Sequence, residues 1–382
     1  MTAAASPTTI LDATAIPQDR RGVGRYLDEL VRAFDEPIFI ACQAHDEDQF
    51  RTLAPTAIVL PQRGIARAWK RLLWEQFSLP RLARRVGASV IHSPHYTLPL
   101  FTRLARVVTF HDATFFSDPQ VHTPIKRAFF QSWIKASARL ADLIITVSQA
   151  TADEIASYSP AKGLSSKFRV IHLGVNAQIF HPPAENEVRE FARDVGLDAP
   201  WIGFLGTIEP RKNLPELVRA YSELCRTWDP TWGERPILAL AGGEGWGADL
   251  SPVIAASEYS TSIRRLGYIE LGQMSAFLGG AEFAIYPSLG EGFGLPVLEA
   301  MASGAPMITT RRLALPEVGG DAVLYSEPDA ASLTEALRRL SSDPAERARL
   351  SRLGTARAEL FTWAACARAH LAVYDEAGTS TK

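Results

Sequence analysis

A chain of 382 residues, 47% of them hydrophobic, is long enough for two domains with separate cores, and a formal net charge of −2 gives no global pull toward nucleic acid or membrane. Its three cysteines, Cys42, Cys225 and Cys366, are widely spaced, which argues against a disulfide framework or zinc site and for a reducing cytoplasm. The opening MTAAASPTT lacks the basic and apolar regions of a signal peptide, and no apolar run nears the ~20 residues of a membrane span. In the first half, TTILDA, PIFIA, AIVL, SVIHS, RVVTF, LIITV and FRVIHL read as strands, with helices near 24–34, 65–86, 124–140 and 149–157. That alternation predicts a parallel, doubly wound sheet. After Leu173 the stretch HLGVNAQIFHPPAENEV reads as an interdomain linker. The second half repeats the pattern: WIGFLG, ILALAG, IRRLGY, AEFAIYP, APMITT and AVLYS as strands, and helices near 213–227, 248–256, 271–279, 294–303, 329–340, 344–354 and 361–376. The tail AGTSTK reads as frayed.

The predicted fold class is therefore α/β, with two Rossmann-like doubly wound domains facing a cleft, and ligands at the carboxyl ends of the strands. Five segments fall at such ends or at helix starts. The first is YPSLGEGFGLPVLEAMASGAP over 286–306. Its Gly292 and Gly294 allow close backbone approach, a helix start beyond them suits a phosphate, and Glu291 and Glu299 can grip hydroxyls on two parts of one long ligand. The second, GVGRY, sets Gly22 and Gly24 before a helix but lacks the third glycine of a dinucleotide fingerprint. The third, FHDATFF, places His111 for contact with a reacting group and Asp112 to orient it or to meet a substrate hydroxyl. The fourth, GTIEPRKN, puts Arg211 and Lys212 at a loop-to-helix junction, a diphosphate site in chemical terms. The fifth, 63–85, carries seven Arg or Lys against the single acid Glu75, interleaved with Trp69, Leu72, Leu73 and Trp74. It reads as a solvated face over an apolar stripe, or as a contact for an anionic bilayer or phosphorylated lipid.

Two metal signals are weak. Asp46-Glu47-Asp48 spells a DxD inside a polar segment that reads as the start of a surface helix, and His92 and His95 have no evident third ligand. No metal or other cofactor is expected, and His95 is assigned to the acceptor instead.

Taken together, GVGRY, HSPHYTLP, TFHD, VSQAT, FLGTIEPRKN, LGYIE and EGFGLPVLEAMASGAP occur in an order that resembles the retaining glycosyltransferases of family four, with the GT-B fold. The likeness is to bacterial mannosyltransferases of lipopolysaccharide or exopolysaccharide assembly. It implies an acceptor domain over 1–178, completed by 361–382 through a helix crossing back, and a donor domain over 179–360. It implies that Glu291 holds donor-sugar hydroxyls and Glu299 the ribose. Backbone from Gly292 through Phe293 and Gly294 to Leu295 would meet sugar and diphosphate, and Arg211 and Lys212 would neutralise the leaving diphosphate. Gly22 and Gly24 would close over the phosphates, Gly267 and Tyr268 would take the base, and His111 would sit by the reacting carbon. Gly206 and Thr207 line the donor site, and Asp112 and His95 face the acceptor; Ser148 is a lesser candidate. Many relatives carry Arg where this chain has Thr207, which leaves Arg211 and Lys212 to carry the phosphate charge.

The expected reaction is retaining, metal-independent transfer of a hexose, mannose from GDP-mannose before all, to a growing lipid-linked glycan at the cytoplasmic membrane face. The expected partners are a nucleotide sugar and a glycan or lipid-linked acceptor, with no nucleic acid. Rhamnosyl or glucosyl transfer from dTDP or UDP donors is the alternative, and a non-catalytic nucleotide-sugar binder the rival from another class.

Overall fold

A computed structural model describes residues 9–16, 20, 22–117, 123–158, 164–245, 247 and 249–379. The chain divides into two units, Met1–Gly174 with Thr362–Lys382, and Val175–Phe361. The expected boundaries at 178/179 and 360/361 thus compare with observed ones at 174/175 and 361/362.

Unit 1 is a parallel sheet of β1 (Thr9–Asp12), β2 (Phe39–Gln43), β3 (Ile58–Gln62), β4 (Val90–Ser93), β5 (Ala105–Phe110), β6 (Leu143–Thr146) and β7 (Phe168–Val170). Its spatial order is β3-β2-β1-β4-β5-β6-β7. The order reverses between β1 and β4, which pair in register through Ile10 and Ile91. The connecting helices are α1 (Val23–Arg32), α2 (Glu47–Leu53), α3 (Ala68–Arg85), α4 (Thr114–Ser117), α5 (Pro124–Leu140) and α6 (Gln149–Tyr158). With helices on both faces, the central strands are buried throughout, which is why they read as continuous apolar runs rather than alternating ones.

Unit 2 begins with α7 (Glu185–Val195) and then alternates β8 (Trp201–Leu205), α8 (Leu214–Arg226), β9 (Ile237–Ala241), α9 (Ser251–Ala255), β10 (Ile263–Gly267), α10 (Met274–Gly279) and β11 (Phe283–Tyr286). It continues through α11 (Leu295–Ala302), β12 (Met307–Thr310), α12 (Leu315–Gly319), β13 (Leu324–Ser326), α13 (Ala330–Ser342) and α14 (Pro344–Ala358). The sheet is again parallel, in the order β10-β9-β8-β11-β12-β13, and reverses between β8 and β11.

The last helix, α15 (Trp363–Thr379), belongs to unit 1 and packs on α1 and β5. Buried polar pairs hold it. Tyr26 on α1 lies 2.9 Å from His370 Nε2, and His92 Nδ1 lies 2.7 Å from the Tyr374 hydroxyl. Gly174 explains the tight chain crossing here, since a Cβ on it would stand 2.2 Å from the Trp363 nitrogen. Of the tail expected to fray, Ala377 to Thr379 complete α15, and 380–382 lie outside the described residues.

One element corrects the reading of 172–188 as a linker. The stretch from Glu185 is helix α7, begun by a hydrogen bond from the Ala184 amide to Glu187 Oε2 and closed by Gly196 at φ 71°. Its only buried residue is Phe191, too little apolar content for periodicity to register.

Candidate active site

In unit 2 the order reverses between β8 and β11, and both strands release loops at their carboxyl ends there. The loop after β8 carries Glu209, Arg211 and Lys212, and the loop after β11 carries Ser288 and Glu291. The backbone ties the two together, the Leu289 amide donating to the Arg211 carbonyl at 2.9 Å and Arg211 Nη1 to the Gly290 carbonyl at 2.5 Å.

Glu291 is the centre of this arrangement. Its Oε1 accepts from Lys212 Nζ and from Ser288 Oγ, each at 2.6 Å, and its Oε2 lies 2.5 Å from Arg211 Nη1. Burial works to raise the Glu291 pKa, but Lys212 and Arg211 outweigh it and hold the carboxyl at about 2. Arg211 also donates to Glu209 at 2.8 Å; burial works against its charge, and Glu291 more than restores it. Lys212 sits over the Tyr286 ring, 4.8 Å from its centroid, and donates to the Tyr286 hydroxyl. Burial lowers the Lys212 pKa, opposed by Glu291. Two cations thus share one carboxylate, leaving a net positive charge before Glu209 is counted.

The sequence reading gave Glu291 and the basic pair separate tasks; the structure joins them in one ion cluster. It missed Glu209, Ser288 and Tyr286, although Ser288 and Tyr286 fall inside the motif that carries Glu291. Beside the cluster, α11 starts at Gly294, whose φ of 108° suits glycine, and a Cβ there would stand 2.9 Å from Leu315 Cδ2. Leu295 is its first helical residue, and Glu299 is buried on it. Phe293 is buried with its ring 6.0 Å from Phe361, and Gly292 is in the same turn.

The remaining donor candidates lie at the ends of β8 to β10. The Gly206 amide donates to Ala241 at 2.9 Å, and the Gly242 amide to Gly267 at 2.7 Å. Gly242 passes so close to the Gly206 carbonyl that a Cβ would stand 1.9 Å from its oxygen. Thr207 is partly buried, and Tyr268 stands 66% exposed.

In unit 1, His111 follows β5. Its Nε2–H donates to the Pro94 carbonyl at 2.8 Å, and Tyr26 meets it edge-on at 4.8 Å. Burial lowers its pKa, so the ring is neutral at pH 7 with Nδ1 as its acceptor nitrogen. Asp112, expected to orient His111 or to meet a substrate hydroxyl, acts on the His111 ring through its charge. Its Oδ1 accepts from the Thr114 amide at 3.1 Å and the Thr114 hydroxyl at 2.9 Å, an Asx turn leading into α4. Ser148 caps α6 through the Thr151 amide at 3.0 Å. Gly22, at φ 50°, and Gly24 lie at the start of α1.

His92 and His95 part company. His92 is buried against Tyr374 and Thr109, facing α15. His95, for which no third metal ligand was evident, has Asp12 and Glu75 beside it, the three potential ligand atoms lying within 4.8 Å of one another. In the DxD stretch, Asp46 pairs with Arg20 at 2.6 Å and Glu47 with Arg51 at 2.8 Å.

Two parallel Rossmann-like units, each a doubly wound sheet with its own switch point, define the GT-B fold class. The family comparisons agree: residues 20–179 match the model described as Glycosyltransferase Family 4, and 187–357 the model described as Glycosyl transferases group 1. O-antigen chain mannosyltransferase B of Escherichia coli is 31% identical over 72% of this chain and 71% of its own length. O-antigen chain mannosyltransferase RfbU of Salmonella typhimurium is 25% identical over 80% and 81%. Anabaena HepE, solved in complex with UDP-glucose, superposes with a TM-score of 0.75 over 96% of this chain and 98% of its own, at 14% identity. The chain belongs to glycosyltransferase family four and is a glycosyltransferase.

Proposed function

We propose that this enzyme transfers mannose from GDP-mannose, with retention of anomeric configuration, to a growing lipid-linked glycan of O-antigen or exopolysaccharide type. The observation that carries the reading is the Glu291–Arg211–Lys212 cluster at the β8/β11 switch point. Fixed positive charge in a buried site stabilises a departing nucleoside diphosphate electrostatically, and no metal is needed for that term. The relatives named as O-antigen mannosyltransferases support mannose and a polysaccharide acceptor.

In this reading Glu291 holds the cations in place and its remaining lone pairs meet donor-sugar hydroxyls, while Glu299 takes the ribose. Amides of Gly292 to Leu295 meet the sugar and diphosphate, and Gly206, Thr207, Gly267 and Tyr268 border the nucleotide. Gly22 and Gly24 serve the phosphates, His111 contacts the reacting sugar through its neutral ring, and His95 and Asp112 serve the acceptor. Melting curves with GDP, UDP, dTDP and ADP test the base, because a specific ligand stabilises by mass action. Stabilisation by GDP alone is expected; a larger shift with UDP or dTDP transfers the assignment to glucosyl or rhamnosyl donors.

A specific observation also favours contact with an anionic bilayer from the cytoplasmic side. On α3, Trp69, Leu73 and Phe77 are 57%, 50% and 52% exposed at four-residue spacing, one face of the helix. Arg63, Arg67, Lys70, Arg81, Arg84 and Arg85, before and along α3, are exposed as well, the composition of an interfacial helix. Among the described residues no helix is long and apolar enough to cross a membrane. Flotation with vesicles containing phosphatidylglycerol tests this: Leu73→Asp together with Phe77→Asp is expected to abolish binding, and unchanged flotation contradicts it.

A further inference from the structure

Unit 1 carries its own charged cluster at the point where its strand order reverses, between β1 and β4. Asp12 ends β1, His95 follows β4, and Glu75 and Arg71 reach in from α3. Glu75 is satisfied. Its Oε2 accepts from Arg71 Nη1 at 2.8 Å and from the Thr97 hydroxyl at 2.7 Å, and its Oε1 from Gln76 Nε2 at 3.0 Å. Asp12 is not. Its Oδ1 accepts from the Thr14 amide at 3.0 Å and hydroxyl at 2.6 Å, but Oδ2, on a side chain with no exposure, has no hydrogen-bond partner. His95 Nε2, 3.9 Å from that oxygen, has none either.

The hydrogen bonding assigns the histidine tautomer. The Thr97 hydroxyl gives its proton to Glu75, so at 3.3 Å it can only accept from His95 Nδ1–H. A neutral His95 then turns a bare lone pair at Nε2 toward the bare lone pairs of Asp12 Oδ2. Burial keeps the ring neutral and raises both carboxyls. Arg71, 3.9 Å from Asp12 Oδ2, already supplies one positive charge, which disfavours a divalent cation between them. What the pair lacks is two donors side by side. Neighbouring hydroxyls of a sugar ring provide that, since their oxygens are about one hydrogen-bond length apart. The Asp12 and His95 acceptor atoms are buried, and the cluster comes nearest to solvent at the His95 and Arg71 side chains, 13% and 15% exposed. A polar site at the carboxyl ends of strands, at a switch point, is where open α/β sheets bind ligands.

We propose that Asp12 and His95 form a vicinal-diol site that selects the acceptor, each accepting a hydrogen bond from one of two adjacent sugar hydroxyls. The assignment rests on the transfer reading only for calling that sugar the acceptor. Saturation-transfer NMR on the full chain tests it, with methyl α-mannoside, methyl β-N-acetylglucosaminide and myo-inositol as probes. Wild type is expected to saturate protons flanking adjacent hydroxyls of at least one probe, and Asp12→Asn and His95→Gln, each checked for folding by melting, to weaken that signal at least fivefold. A signal that both variants keep, or no signal with wild type, overturns the proposal. So does Mg²⁺ or Mn²⁺ stabilisation that Asp12→Asn abolishes while no glycoside binds, which gives the cluster to a cation. The transfer reading fails separately, by absence of nucleotide-sugar conversion.

Discussion

Lys212 Nζ and Glu291 Oε1 lie 2.6 Å apart across 79 positions of sequence, joining the loops that leave β8 and β11. Neither charge is at the surface, and Arg211 completes the group from the other carboxylate oxygen. Structure and chemistry are therefore coupled at Glu291.

Replacing Glu291 by Gln is expected to remove transfer and also to cost stability, about 3 kcal/mol, because two buried cations lose their shared counter-charge. A mutant inactive at full stability would show that the ion cluster contributes only to chemistry. The wild-type contribution has a defined pH window. The folded-state pKa of about 2 lies below the ordinary 4.5, so the stabilisation is whole above pH 4.5 and is lost as pH falls toward 2. Denaturant melts of wild type and variant between pH 7 and pH 2 are expected to converge at the acid end.

The basic pair divides by geometry. Arg211 is held by Gly290, Glu209 and Glu291, whereas Lys212 rests on Tyr286 and Glu291. Lys212→Met is expected to lower kcat about 100- to 1,000-fold, the range for losing one preorganised electrostatic group. Arg211→Lys should also lose activity, since a point charge cannot span two acceptors as the planar fork does. Steady-state kinetics with the active donor checks both, and near wild-type kcat in Lys212→Met would remove it from the leaving-group role.

Much of this was legible in the sequence. The strand and helix alternation was enough for two doubly wound units, and the rule that sites lie at strand carboxyl ends was enough to select His111, Arg211, Lys212 and Glu291. The contact between Lys212 and Glu291 was not legible, because it depends on β8 and β11 being neighbours, a consequence of strand order rather than of any local pattern. Asp12 was passed over inside the strand read as TTILDA; the structure ends β1 at Asp12, where the rule applied to His111 covers it equally. Glu75 was noticed only as the lone acid of a basic helix, because helical spacing does not reveal that it turns inward toward Asp12 and His95.

The histidines of unit 1 give a second pH signature. His92, His95, His111 and His370 are all lowered by burial, His370 to about 4. A base whose folded pKa is depressed leaves the unfolded state to take up the proton, so stability falls as pH drops from about 6.5 to 4. Glu75, pushed up to about 7 by burial, and Asp12 act in the opposite direction. His370→Gln is therefore expected to lose about 3 kcal/mol less than wild type between pH 7 and pH 4. Parallel stability curves would mean that His370 takes a proton in the folded state.

Gly242 and Gly272 offer a paired test of the β8–β9 connection. A Cβ on Gly242 would stand 1.9 Å from backbone at Gly206, whereas one on Gly272 meets nothing within 4 Å. Gly242→Ala is expected to destabilise on the order of 4 kcal/mol, Gly272→Ala by less than about 0.5 kcal/mol. Equal melting temperatures would show that the two loops have room to separate.

The most direct measurement is product mass spectrometry with a lipid-linked glycan acceptor set, offering GDP-mannose, UDP-glucose and dTDP-rhamnose to wild type and Lys212→Met in parallel. The expected result is a single hexose added from GDP-mannose by wild type, reduced at least 100-fold in the variant. Addition only from a UDP or dTDP donor, or from GDP-mannose equally well by both proteins, would contradict the assignment.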